Sequence, residues 1–145
     1  MGYPARVIAV MEDGSLEALS PDQFEMQSDV EMTRGLTLPG LLDAVYLSSS
    51  GTVDKATGYV STSPCIGFVS ALLPLGKCLV RREEEIDGFV GLTPGSIYFM
   101  DPATPGGITK NPPTGGVGKV LQDVGVALTT SKLGIFIDMD YVVLG

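Results

Sequence analysis

The chain has 145 residues, 44% of them hydrophobic, with a formal charge of −8, no histidine and two cysteines. That length buries roughly 70% of the surface of the unfolded chain, so one domain can hold a core without disulfide staples. The acidic balance excludes a nucleic-acid-facing role, because phosphate recognition needs a stripe of Lys and Arg that this chain lacks. The 19 glycines and 10 prolines are scattered between apolar runs, which marks turns and not disorder. Short apolar runs so punctuated predict an all-β fold, an antiparallel sandwich or barrel.

Residues 6–11, Arg-Val-Ile-Ala-Val-Met, predict a first strand. Asp13-Gly14 supplies a hairpin turn, since glycine accepts the positive φ of a tight turn, and Ser15 to Leu19 returns. Ser20-Pro21-Asp22-Gln23 is a capping box with proline at the first helical position. Phe24-Glu25-Met26 reads equally as one helical turn or as an extended arm anchored by Phe24 and Met26. Residues 1–35 are thus an N-terminal hairpin and arm, suited to contact with a neighbouring subunit. Arg6 precedes only five apolar residues, short of the ~7–15 of a signal-peptide core. No run approaches the ~20 apolar residues of a membrane span. The expectation is a soluble protein made in the cytoplasm.

Residues 36–145 read as a β domain of two related units, about 36–85 and 91–145. Val45-Tyr46-Leu47 answers Ile97-Tyr98-Phe99, and Val53-Asp54-Lys55 answers Ile108-Thr109-Lys110. Ile66-Gly67-Phe68-Val69 answers Val124-Gly125-Val126-Ala127, and Leu75-Gly76 answers Leu133-Gly134. The separations are 52, 55 and 58 residues, with 58 kept by the last match, as if two loops had each grown by about three residues. Cys65 to Leu72 and Lys77 to Arg82 form the first long hairpin. Glu83-Glu84-Glu85 is a solvated edge or loop that guards a strand end, and Ile86 to Val90 is a short strand. In the last hairpin Leu133, Ile135, Ile137, Met139 and Tyr141 share one strand face, with Asp138 and Asp140 on the other. The duplication is imperfect there, because Lys77, Leu79 and Arg81 stand where Ile135, Ile137 and Met139 stand. A hairpin about Pro74-Leu75-Gly76 sets Cys65 and Cys78 several pairs apart, so two free buried thiols are expected.

Chemistry finds little to work with. Without histidine the chain lacks the commonest general base, nucleophile activator and metal ligand, and no Cys-x-x-Cys pair offers a zinc site. Gly115-Gly116-Val117-Gly118-Lys119 fails as a phosphate loop twice: Pro113 occupies the first glycine position and Val120 the Ser/Thr position. Asp138 and Asp140, on one strand face roughly 6–7 Å apart, overlap the spacing of hydrolytic pairs. With no Trp, a solvated strand face is the better reading. No Asp-x-Asp-x-Asp-Gly loop is present for calcium. No catalytic, cofactor-binding or metal residue is assigned, and the chain is read as a non-enzyme.

The second unit carries Thr-Pro-Gly-Ser-Ile-Tyr-Phe at 93–99 and Pro-Gly-Gly-Ile-Thr at 105–109. Gln-Asp-Val-Gly-Val-Ala-Leu follows at 122–128, and Leu-Gly-Ile-Phe-Ile at 133–137. It resembles a β module of tailed-bacteriophage virion structural proteins, especially capsid decoration (cement) proteins and some tail-appendage proteins. With the weaker first copy the resemblance covers about residues 36–145. It implies a structural protein on the capsid exterior, bound to the major capsid protein as a homo-oligomer, trimer first and dimer second, without cofactor, nucleic acid or membrane. The alternative is a tail-appendage or receptor-binding module recognising a host surface glycan. Tyr46, Tyr59 and Tyr98 are its candidate contacts, although Tyr46 and Tyr98 sit in apolar strands and read better as core.

Overall fold

A computed structural model describes residues 29–59 and 64–145, and these residues form strands and turns without a helix. The N-terminal strand, the Asp13-Gly14 hairpin, the capping box and the Phe24–Met26 anchor lie outside the described residues. Sheet one is built from β1 (Asp29–Thr33), β2 (Ala44–Leu47), β3 (Val53–Lys55), β4 (Gly67–Leu72) and β5 (Lys77–Arg81), in the order β1-β5-β4-β2-β3. Sheet two uses β6 (Glu84–Asp87), β7 (Ile97–Met100), β8 (Ile108–Thr109), β10 (Asp123–Ala127) and β11 (Lys132–Ile135), in the order β6-β11-β10-β7-β8. A two-stranded sheet joins β9 (Val120–Leu121) to β12 (Val142–Val143). All named strand pairs are antiparallel.

Strand for strand, the two five-stranded sheets share one topology, which allows the expected repeat to be compared position by position. The register differs from the sequence match in two places. Val45 faces Gly67 and Tyr98 faces Gly125, which makes Val45 the counterpart of Tyr98, 53 positions on and not 52. The preceding turns agree: Leu42 N–H donates to Val69 O and Gly95 N–H to Ala127 O, both at 2.8 Å. The 55 and 58 spacings hold for β3/β8 and β4/β10. The last match fails, because Leu75-Gly76 lies in the turn between β4 and β5 whereas Leu133-Gly134 lies inside β11. Val80 faces Val69 and Leu133 faces Ala127, so the spacing falls back to 53. The cause is an extension of the first hairpin through Ser70–Leu72, with a register shift between Val69 and Ala71. With this register Lys77, Leu79 and Arg81 no longer stand opposite Ile135, Ile137 and Met139. Alternation is preserved in both units, with Cys78 and Val80 buried on β5 and Leu133 and Ile135 on β11.

Sheet membership also moves the unit boundaries. β1 hydrogen-bonds along β5, so unit one begins by Asp29 and not at 36. β6 pairs with β11, so the acidic run belongs to unit two. Its residues Glu84 and Glu85 lie exposed on an edge strand, the guarded edge expected of them. That strand ends at Asp87, before Gly88 at φ 120°, and does not run on to Val90. The strand expected through Tyr141 stops at Ile135. There Asp138 turns the chain, its Oδ1 accepting the Asp140 N–H at 2.8 Å.

Each sheet has a largely apolar face, but the two are covered differently. Sheet one curls until its edges meet: Arg34, just after β1, bridges Val53 of β3, and Gly35 N–H donates to Val53 O at 2.8 Å. Val45, Val53, Val69, Cys78 and Val80 fill the interior so enclosed. Sheet two does not close. Its apolar face, with Ile86, Tyr98, Met100, Ala127 and Leu133, packs on the opposite face of sheet one, against Ala44 and Phe68. Phe89 meets Phe68 edge-on, ring centroids 6.1 Å apart. Burying such side chains stabilises by about 1.5–3 kcal/mol each. Close strand crossing at matched glycines permits both sheets. A Cβ on Gly67 would lie 2.6 Å from Arg81 O, and one on Gly125 would lie 2.5 Å from Gly134 O.

Candidate interaction surfaces

The units are joined by polar contacts as well as by the core. Gln122, the buried polar residue among the described core, lies beside β9. Its Oε1 accepts the Cys65 N–H at 3.0 Å, while Nε2 donates to Cys65 O at 3.2 Å and Asp138 O at 3.1 Å. The side-chain amide thus pairs with a backbone as a neighbouring strand would. Ala44 N–H donates to Gly106 O and Gly106 N–H to Ala56 O. These bonds fix unit two on unit one.

Both cysteines are free and buried, as expected from the hairpin. Burial pushes the Cys65 thiol up to about 12 and raises that of Cys78, so neither is a ready thiolate. Asp138 and Asp140 form a turn and do not share a strand face. Among the described residues no group of three or more His, Cys, Asp or Glu side chains is placed to hold a metal. The Gly115–Lys119 stretch is a turn leading into β9, closed by Lys119 N–H to Gly116 O. Of the three tyrosines, Tyr98 is buried with its hydroxyl accepting the Thr93 N–H at 2.9 Å, Tyr46 packs on the core, and Tyr59 is exposed. They present no shared stacking face.

What the molecule does display is leucine at one end of sheet one. Arg34 N–H donates to Gly76 O at 2.9 Å, which brings the segment after β1 against the β4–β5 turn. Leu36 is 99% exposed and Leu75 93%, with Leu38 also outward. The backbone holds them at a cost, for Leu38 and Leu75 have φ of 47° and 63°, a region that costs a side-chain-bearing residue about 1–2 kcal/mol. Both turns are hydrogen-bonded, Leu38 N–H to Gly35 O and Lys77 N–H to Pro74 O. Sequence reading missed these leucines, because exposure at a turn is invisible in an apolar run. The available signal was leucine in Pro-Leu-Gly and Leu-Pro-Gly, where turn positions ordinarily take polar residues.

A groove of about 510 Å³, with polar and apolar walls, lies between the units. Val30, Ile66, Phe136 and Met139 line it together with Arg82 and Glu83. Near it the Asp29 carboxylate takes Arg81 Nε at 2.7 Å and Nη2 at 3.1 Å. The bidentate hydrogen bond with Arg81 lowers the Asp29 pKa. No protein-family model, curated protein or solved structure matches the chain.

Proposed function

We propose that this protein is a structural component of a phage particle, a decoration protein that binds the outside of the head shell and stabilises it. In this reading it is a homo-oligomer, its partner is the major capsid protein, and it performs no catalysis. The observation that supports the reading is the leucine display. Three large apolar side chains are held in solvent on hydrogen-bonded turns, two of them in a disfavoured backbone region, on a chain of charge −8. Backbone strain of this kind clusters at functional sites. An acidic body keeps such a protein soluble until it meets its shell.

The test is addition of purified protein to empty shells. Stoichiometric uptake and a raised disruption temperature are expected, since whatever binds only the intact state stabilises it. Leu75→Asp should weaken uptake at least tenfold without lowering the thermal midpoint of the free protein. Shells left bare and unaltered at saturating protein would end the proposal.

A further inference from the structure

The shared topology gives each position in one unit a counterpart in the other, and one pair of counterpart faces is treated unequally. The face of sheet one turned away from its interior carries Ala44, Tyr46 and Phe68, with Ala44 paired across to Phe68. Sheet two lies on it, and Ala44 and Phe68 are 0% exposed. The counterparts are Ile97, Phe99 and Val126, with Ile97 paired across to Val126. All three are again apolar, yet Ile97 is 47% exposed and the other two are half-buried. Leu128 extends the patch, leaning over Gly134, where a Cβ would meet its Cδ1 at 3.4 Å.

We propose that this outer face of sheet two is the contact between two copies of the chain, packed sheet on sheet. The kind of occupant is indicated within the molecule, for the counterpart face is covered by a β-sheet of the same design. Sheets stacked in this way lie about 10 Å apart, with side chains interleaved. A second copy offers this same outer face, and two identical faces can meet across a two-fold axis. Lys132, 3.6 Å from Glu85 and paired across to Asp87, stands at the edge of this face, and Asp123 is paired across to Phe99, so the contact rests on the apolar side chains and not on charge. The proposal deepens the function above by naming the face between copies, and it rests on that reading only for homo-oligomerisation.

Sedimentation of the full chain across a concentration series tests it in the absence of shells. The expected result is a reversible dimer whose dissociation constant rises about tenfold or more, some 1.4 kcal/mol or more, in Ile97→Lys and, separately, in Leu128→Glu. Near-UV circular dichroism checks the fold of each variant, and Leu128→Glu, just beyond β10, serves if Ile97→Lys fails to fold. A chain that stays monomeric overturns the proposal, as does an oligomer that folded variants leave intact. A monomer whose variants lose shell uptake overturns it too, and gives this face to the shell. A dimer that the variants break, but that never adds to shells, refutes the decoration role alone.

Discussion

Replacing Gln122 with leucine tests whether one amide holds the two units together. The substitution roughly keeps the volume but removes both partners of Cys65 and one of Asp138. Cys65 is buried, so its N–H and C=O would be left without water, each at about 1–3 kcal/mol. Asp138 is only half-buried, and water can replace that bond. Offset by the gain from an apolar side chain, the expected loss is about 3 kcal/mol, a large share of the ~5–15 kcal/mol of an ordinary domain. Urea unfolding followed by tyrosine fluorescence and circular dichroism would measure it as a fall in midpoint at constant slope. Gln122→Glu sharpens the test. Its carboxylate would face two carbonyl oxygens, so its folded-state pKa must rise above the ~4.3 of an unfolded glutamate. A folded state that binds its proton more tightly loses stability as pH rises. The variant should therefore approach the wild type near pH 4 and diverge from it towards pH 7. A loss below about 1 kcal/mol for the leucine variant, or a pH-independent deficit for the glutamate variant, would refute the reasoning.

Other outcomes follow from the turns and the ion pair. Leu75 and Gly76 both have positive φ, the arrangement of a type I′ turn that favours Asn-Gly. Leu75→Asn should raise stability by about 0.5–1 kcal/mol in chemical denaturation, while weakening shell uptake. Gly125→Ala should cost more than about 2 kcal/mol by the same assay, because the added methyl meets the Gly134 carbonyl. Gly95→Ala, at φ 86° with open space around it, should cost only about 1 kcal/mol. Asp29→Asn should cost about 1 kcal/mol at pH 7. The lowered Asp29 pKa means that its contribution is complete above the unfolded value of ~3.9 and fades as pH falls, so variant and wild type should converge in acid.

The strands and the duplication were legible because alternation and glycine placement are local properties. Gly67 and Gly125 found each other in sequence since both must let a neighbouring backbone pass. The one-residue error at β2/β7 arose because Tyr46 and Tyr98 look alike, whereas the structure matches Tyr98 to Val45 by their common glycine partners. Similar side chains masked opposite facings. The error at the end of the repeat came from Leu-Gly recurring in a turn and in a strand, which only hydrogen bonding distinguishes. Gln122 drew no notice, because its partners lie 57 and 16 residues away. Leu75 was read as a turn residue, but its solvent exposure and strain depend on tertiary placement.

The curl that joins β1 to β3 has a consequence for the order in which the protein matures. The leading half encloses five fully buried residues on its own, so it can consolidate as soon as it leaves the ribosome, where N-terminal parts fold first. The trailing half has no such lid, and its apolar side is satisfied only by Ala44, Phe68 and their neighbours. The two halves of like topology are thus a template and a dependant. Amide exchange should find the template still protected under conditions in which its dependant has already opened.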